Sequence, residues 1–237
     1  MAFRVIEGNI FTSDCQTLVN TVNCVGVMGA GIALECRLRY PQMYERYVAI
    51  CEQEQLDIGK LWLYRTDTRW VLNFPTKKHW RYPSQEDYLR QGLEKLVATY
   101  AQKGIRSIAM PLLGADRGGI DSEVSLGLMQ EYLATGHEDL SVEVYRYDPT
   151  ARDDLFDSFK ARLLGEPRAQ IQRASGLKPK ALETLRAALQ RDDICQLNQL
   201  LKVKGVGLVT LEKAFRYAQQ PDEDAADLFM TAPSSHS

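Results

Sequence analysis

Apolar positions between residues 3 and 148 follow two periods. FRVIEG (3–8), TLVNTVN (17–23), KLWLYR (60–65), RWVLNFP (69–75), RSIAMPLL (106–113) and SVEVYRYD (141–148) are short apolar or alternating runs, and each predicts a strand. Residues 29–54, 85–104 and 122–136 carry helical spacing instead. Pro41 interrupts the first of these and predicts two helices with a kink between them, because proline cannot donate within a helix. Gly104 is a good residue to end the second. The 60–65 and 69–75 runs read as two strands joined by a short turn. Strands alternating with helices predict an α/β sandwich with a largely parallel central sheet.

The pattern changes after residue 148. PTARDD and GEP punctuate residues 149–167, strands stop, and residues 153–220 read as helical throughout. The expected organisation is an α/β domain over 1–150, a small all-helical domain over 151–220, and a flexible tail over 221–237 that is acidic, then small and polar. The helical part contains an internal echo. SGLKPKALETL (175–185) aligns with KGVGLVTLEKA (204–214), with Gly176 facing Gly205.

Composition narrows the function class. Of 237 residues, 45% are hydrophobic, enough for a real core. The net charge of −2 gives no bulk attraction to nucleic acid, so a local patch must carry any such role. Five scattered cysteines with no C-x-x-C pair, and three histidines, argue against a disulfide framework and against zinc. No cofactor is called for. There is no basic segment followed by a long apolar one, and no run near eighteen apolar residues. A monomeric cytoplasmic protein without a membrane partner is the expectation.

Three segments carry candidate chemistry. In NTVNCVGVMGAGIAL (20–34) a strand yields to small residues and a helix begins near Gly31 or Ile32, so backbone amides at its N-terminus would favour an anion. In MPLLGADRGGID (110–121) a second strand runs into Gly114, Gly118 and Gly119. Loops at strand ends of an α/β sheet bind ligands, and two of them could clamp a pyrophosphate. Each loop also reads as a plain tight turn. Asn20 and Asn23 flank the end of a strand, where an amide suits ribose hydroxyls or caps the turn locally. The third segment, NFPTKKHWR (73–81), sets Lys77, Lys78, His79, Trp80 and Arg81 beside a Pro turn. It reads as a solvated loop, a nucleic-acid grip or the seat of a reactive amine. Trp80 could stack on a base or anchor in the core.

Taken in order, V-x-E-G-N-I-F, LVNTVNCVGVMGAGIAL, NFPTKKHWR and P-L-L-G-x-x-x-G-G-I-D resemble the macrodomain family over residues 3–148. Within that family they look most like the DarG antitoxin branch and its relative, the terminal ADP-ribose protein glycohydrolase. The resemblance implies a three-layer α/β/α domain with a mixed sheet that binds ADP-ribose and, in this branch, removes it from DNA bases, thymidine above all. It implies Asn9 and Ile10 near the adenine and Asn23 at the distal ribose. Gly29, Ala30, Gly31 and Ile32 would embrace the diphosphate from one side. Leu113, Gly114, Ala115, Asp116, Arg117, Gly118 and Gly119 would embrace it from the other. Lys77 falls on the position of the catalytic lysine. A neutral amine there can attack an oxocarbenium-like anomeric carbon or capture the opened sugar as a Schiff base. The second loop departs from the branch: the catalytic aspartate of the relative falls at Gly118, and Ala115, Asp116 and Arg117 replace small residues.

LLKVKGVGLVTLEKAF (200–215) resembles a helix-hairpin-helix element, in which Gly205 and Gly207 would free backbone amides for a DNA phosphate, and 176–185 would be its degenerate partner. A small helical bundle is the bland alternative. The DarG group typically restrains its toxin through a C-terminal part, so a DarT-like toxin competes with DNA as the partner here.

Overall fold

The structure is a computed structural model, and it describes residues 2–220. The expected tail at 221–237 lies outside the described residues. The chain divides into two compact units, one ending at Asp154 and the other beginning at Leu155.

The first unit is built on a six-stranded sheet in the order β1-β6-β5-β2-β4-β3. The strands are β1 (Ala2–Gly8), β2 (Thr17–Asn23), β3 (Trp62–Arg65), β4 (Trp70–Lys77), β5 (Ser107–Pro111) and β6 (Ser141–Tyr147). All neighbours pair in parallel except β3 with β4, so the sheet is mixed, with its one antiparallel strand at the edge. The central strands are buried on both faces, as parallel sheets require. Helices α1 (Gly31–Arg39) and α2 (Pro41–Glu52) contribute Cys36, Met43 and Tyr47 to the core on one face. On the other face lie α3 (Glu86–Thr99) and α4 (Ser122–Leu133). The apolar stripe Leu89, Leu93 and Leu96 of α3 is buried there with Met129 and Leu133 of α4. The three-layer expectation therefore describes this unit. Helix α3 comes so close to the sheet at Gly92 that a Cβ there would lie 2.1 Å from Phe74.

The two helices expected around Pro41 are present: the first begins at Gly31, and Pro41 opens the second at its first position, where its missing N–H costs nothing. One expectation is corrected. Pro75 does not form a turn: β4 runs through it to Lys77. A proline is tolerated there because it lies past the last β3 pair, Trp62 with Asn73, and next to a register shift of β2 between Val22 and Asn23.

The end of the first unit is fixed by buried charge. Arg39, at the close of α1, reaches Glu35 at 2.8 Å, Asp153 at 3.3 Å and Asp154 at 2.8 Å, and its guanidinium lies 4.0 Å from the centre of the Phe11 ring. Glu35, Arg39 and Asp153 are all buried. Burial alone would disfavour the guanidinium charge; the three carboxylates outweigh it and hold Arg39 more firmly protonated than usual.

The second unit comprises α5 (Phe156–Gly165), α6 (Arg168–Ser175), α7 (Pro179–Ala188), a 3-10 helix (Leu197–Lys202) and α8 (Leu208–Ala218). Phe159, Leu163, Ile171, Leu185, Leu211 and Phe215 are buried in it. Arg162 stacks 4.2 Å over the Tyr217 ring, and the Tyr217 hydroxyl donates to Glu166 at 2.6 Å.

Removing one member of a buried ion cluster strands the others. Arg39→Met should therefore destabilise the protein by about 3–5 kcal/mol. Urea denaturation followed by tryptophan fluorescence measures this, and a loss under 1 kcal/mol would mean the carboxylates find solvent.

Candidate functional site

Because β1, β6, β5, β2 and β4 run the same way, the loops leaving their C-terminal ends gather along one edge of the sheet. The ends of β2 and β4, the loops after β1, β2, β4 and β5, and the start of α1 hold every candidate of the first unit except Asn20.

The first glycine loop, residues 24–30, is shaped by Asn23. Its Oδ1 accepts the N–H of Val25 at 3.0 Å and of Val27 at 3.3 Å, and its Nδ2 donates to the Val27 carbonyl at 2.6 Å. Tyr47 braces it from α2, donating to the Asn23 carbonyl at 2.7 Å and lying 3.1 Å from its Oδ1. Burial pushes the Tyr47 phenol well up, so it remains a donor. Asn23 is thus first a turn-former, and one amide N–H remains for a ligand. The loop delivers Gly29, Ala30 and Gly31, all exposed, to the start of α1, and no side chain caps that helix. Its first amides therefore face outward with the positive end of the helix dipole. Ile32 is half-buried behind them.

Asn20 departs from its expectation. It lies in the middle of β2, fully buried, and donates to Asn73 of β4 at 2.9 Å while its Nδ2 also lies 3.8 Å from the Met28 sulfur. Asn20 is paired with Asn73 in the strand register, so the two amides meet inside the sheet and not at a ligand surface. The sign in the sequence was an asparagine near the centre of each of two apolar runs. Asn9 caps the 3-10 turn Ile10–Thr12, accepting from Phe11 N at 3.1 Å, and its Nδ2 is buried without a partner. Ile10 is buried beside it.

The second glycine loop folds tightly after β5. Leu113 is buried, and its carbonyl accepts from Ser125 at 2.7 Å. Gly114 has φ +66 and is crowded by Ile120, Leu89 and Ser84, so only glycine fits there without strain. Ala115 is half-buried and leads into the 3-10 turn Asp116–Gly118, and Gly119 is left-handed. Asp116 is itself left-handed at φ 40, uncommon for a residue with a side chain. A Cβ on Gly31 would lie 3.8 Å from the Asp116 carboxylate, so the two loops face each other across the start of α1. The Arg117 side chain is exposed, 3.9 Å from Asp116.

Gly118 explains the departure from the aspartate pattern. A Cβ there would stand 2.6 Å from Ser84 Oγ and 3.2 Å from Ser84 Cβ. The backbone is locked as well, since Ser84 N–H donates to the Gly118 carbonyl at 2.9 Å. No side chain, acidic or otherwise, fits at 118 while Ser84 stays in place. The sequence offered only a Pro83-Ser84 pair as a signal for this residue.

Lys77 ends β4, paired with Asn23 across the register shift. Its Nζ donates to the Arg117 carbonyl, and its Cε lies 4.0 Å from the Cβ position of Gly118. Burial pushes its amine below the ordinary lysine range; the Asp116 carboxylate opposes that shift and the Arg117 guanidinium adds to it. Lys78 is exposed, and its carbonyl accepts Cys24 N–H at 3.2 Å. His79, Trp80, Arg81 and Tyr82 form an outer cluster. His79 stacks on Trp80 at 5.6 Å between centroids and meets Tyr82 at 5.5 Å, and Arg81 lies 4.8 Å over Trp80. Trp80 is 47% exposed and Tyr82 67%, so the core-anchor reading of Trp80 is set aside.

In the second unit both expected hairpins share a backbone form. Gly176 (φ 68) and Gly205 (φ 92) are left-handed, and each precedes an extended residue, Lys178 or Gly207, at the start of a helix without a side-chain cap. The element before Gly205 is a 3-10 helix, where the element before Gly176 is α6.

The site can be set beside known proteins. A family model described as Macro domain matches residues 19–129. The macrodomain of Thermus aquaticus DarG, a solved structure, is 41% identical with TM-score 0.57, covering 61% of this chain and 97% of that one. The chain therefore belongs to the macrodomain family. Thermosipho africanus DarTG in complex with ADP-ribose is 33% identical with TM-score 0.58, covering 62% of this chain and 42% of that one. A DNA ADP-ribosyl glycohydrolase of Mycobacterium tuberculosis is 32% identical over 225 residues, 93% of this chain and 59% of that protein. One of Thermus aquaticus is 41% identical over 150 residues, 62% of this chain and 41% of that protein. The chain thus spans about half the length of the curated relatives it matches. Among the described residues no helix is long and apolar enough to cross a membrane.

A carboxylate stabilises an ammonium, so Asp116→Asn should lower the pKa of Lys77 further, and Arg117→Gln should raise it. Lysine side-chain NMR titration reads both directions, and an upward shift in Asp116→Asn would contradict the assigned neighbours.

Proposed function

We propose that this protein is an ADP-ribosyl glycohydrolase that removes ADP-ribose from DNA bases, thymidine in particular, in an antitoxin role. The observation that carries the proposal is the Lys77 amine. It reaches the second glycine loop at the Arg117 carbonyl, sits beside Asn23 of the first, and is shifted toward its neutral form by burial. The likeness to proteins named DNA ADP-ribosyl glycohydrolase supports the choice of DNA as substrate.

In this reading the diphosphate lies between the amides of Gly29, Ala30, Gly31 and Ile32 and the loop from Leu113 to Gly119. The adenine lies by Asn9 and Ile10, and the free Asn23 N–H meets the distal ribose. Lys77 Nζ attacks the anomeric carbon as the N-glycosidic bond to the base breaks, with the bonding electrons leaving on the base. The amine loses a proton, the ring opens to a Schiff base, and water then hydrolyses the C=N bond to free ADP-ribose. Lys78, His79, Trp80 and Arg81 engage the flanking single strand, two cations for phosphate and one exposed aromatic for stacking. The Lys77 amine is partly buried and shifted toward its neutral form, which suits a nucleophile better than a phosphate-holding cation and favours turnover over a module that only reads ADP-ribose.

For the second unit, the paired left-handed glycine hairpins support DNA phosphate binding at Gly205 and Gly207, helped by Lys178 and Lys204. A transferase–glycohydrolase fusion protein of Thermosipho africanus is 32% identical over 160 residues, which favours a DarT-like toxin as the functional counterpart.

Two outcomes follow. Lys77→Ala should slow ADP-ribose release from modified single-stranded DNA by roughly 10⁴-fold while leaving ADP-ribose affinity within a few-fold. Single-turnover assays on ADP-ribosylated DNA, RNA and protein, run side by side, test this. Unchanged release ends the lysine mechanism, binding without turnover on any substrate favours a reader, and preference for protein-linked or O-acyl-ADP-ribose moves the substrate class. Separately, Lys178→Ala combined with Lys204→Ala should flatten the slope of log affinity for DNA against log salt by about 0.9 per lost contact. An unaltered slope would leave the second unit free for the toxin.

A further inference from the structure

Ser84 lies just before α3, outside both glycine loops, and the reading above gives it no part. It is 8% exposed, and its hydroxyl is buried with no hydrogen-bond partner. A buried hydroxyl without a partner costs about 1–3 kcal/mol, and alanine would fill the same space without that cost. The residue that carries it is held from two sides. The Ser84 backbone N–H is bonded to the Gly118 carbonyl, and its Cβ lies 3.1 Å from the Cβ position of Gly114. Its Oγ lies 2.6 Å from the position a side chain at Gly118 would take. Lys77 Cε approaches the same position from another side, at 4.0 Å. One small volume, bare because residue 118 is glycine, is thus bordered by the lysine stem and by an unpartnered hydroxyl.

The lysine is meanwhile bonded elsewhere. Its Nζ donates to the Arg117 carbonyl, at the outer rim of the loop. A nucleophile must release such a partner to turn toward an anomeric carbon, and it needs another to hold its aim.

We propose that Ser84 is a positioning residue for Lys77: its hydroxyl accepts an N–H of the Lys77 amine once the amine leaves the Arg117 carbonyl, across the gap that Gly118 leaves open. The exchange trades one hydrogen bond for another and moves no proton. It leaves the amine lone pair free for the sugar carbon, and it gives a partner to a buried hydroxyl that has none in the resting state. Gly118 is then required for two reasons. It makes room for the hydroxyl, and it keeps the path to the amine clear.

This inference rests on Lys77 being the nucleophile. The test uses the full chain with Ser84→Ala, Ser84→Thr and Lys77→Ala. Three quantities are read: the single-turnover rate on ADP-ribosylated single-stranded DNA, ADP-ribose affinity by calorimetry, and Tm. Ser84→Ala should slow the chemical step tenfold or more, leave ADP-ribose affinity within twofold, and leave Tm unchanged or higher. Ser84→Thr, which keeps the hydroxyl, should recover most of the rate; a rate as low as that of Ser84→Ala, with Tm unchanged, overturns the inference. A rate within twofold of the parent in Ser84→Ala, with Lys77→Ala inactive, overturns this inference alone. Loss of rate, affinity and Tm together in Ser84→Ala makes Ser84 a loop support and also overturns it. Full activity in Lys77→Ala overturns the lysine mechanism and this inference together.

Discussion

The pairing of β2 with β4 decides where the candidate site residues sit. Through most of its length the register is regular, Asn20 meeting Asn73 and Val22 meeting Pro75. At the end it slips by one residue, so Asn23 faces Lys77 and not Thr76. Side chains alternate along a strand, so a slip of one residue turns the last lysine onto the other face. Asn23 starts the first glycine loop, and Lys77 starts the basic cluster. A single irregularity therefore brings the loop-former and the amine together at the open edge of the sheet. The 3.2 Å bond from Cys24 N to Lys78 O carries the pairing one step further and holds the two segments as they diverge.

The charges around this edge are of two kinds. Arg39, Glu35 and Asp153 are buried and satisfy one another, with the partly exposed Asp154 at their edge, so they tie the end of the first unit to α1. Asp116, Arg117, Lys78 and Arg81 are exposed. Their fields are weak in water and easily rearranged by an incoming phosphate. Lys77 lies between these classes: half-buried, uncapped by any carboxylate contact, bonded only to a backbone carbonyl. That intermediate position lets its amine be shifted by burial and still meet a ligand.

The sequence was most informative where a residue's backbone role is also its chemical role. Gly31 at the head of α1, Gly114 and Gly119 in the second loop, and Pro41 between two helices all act through φ, and their positions could be read from the string. The layers and the edge strand followed from apolar periodicity, because each stripe must bury itself. What could not be read was pairing between distant segments. Nothing in TLVNTVN alone says that Asn20 will spend its amide on Asn73, or that Pro75 will continue a strand where the ladder has already slipped. Asn23 was legible as a residue of interest, yet its main occupation, holding Val25, Val27 and Tyr47, depends on α2 being folded against it. Trp80 was ambiguous for the same reason, and its exposure is settled by its stacking on His79.

Gly118 and Ser84 also bear on how such a site can vary over evolutionary time. An acid at 118 would collide with Ser84 Oγ, and shrinking residue 84 first would abandon the hydroxyl before any carboxylate had arrived. A side chain at 118 and the present placement of the Ser84 hydroxyl exclude each other, so a substitution at either position changes what the other can hold, and the two are expected to vary together.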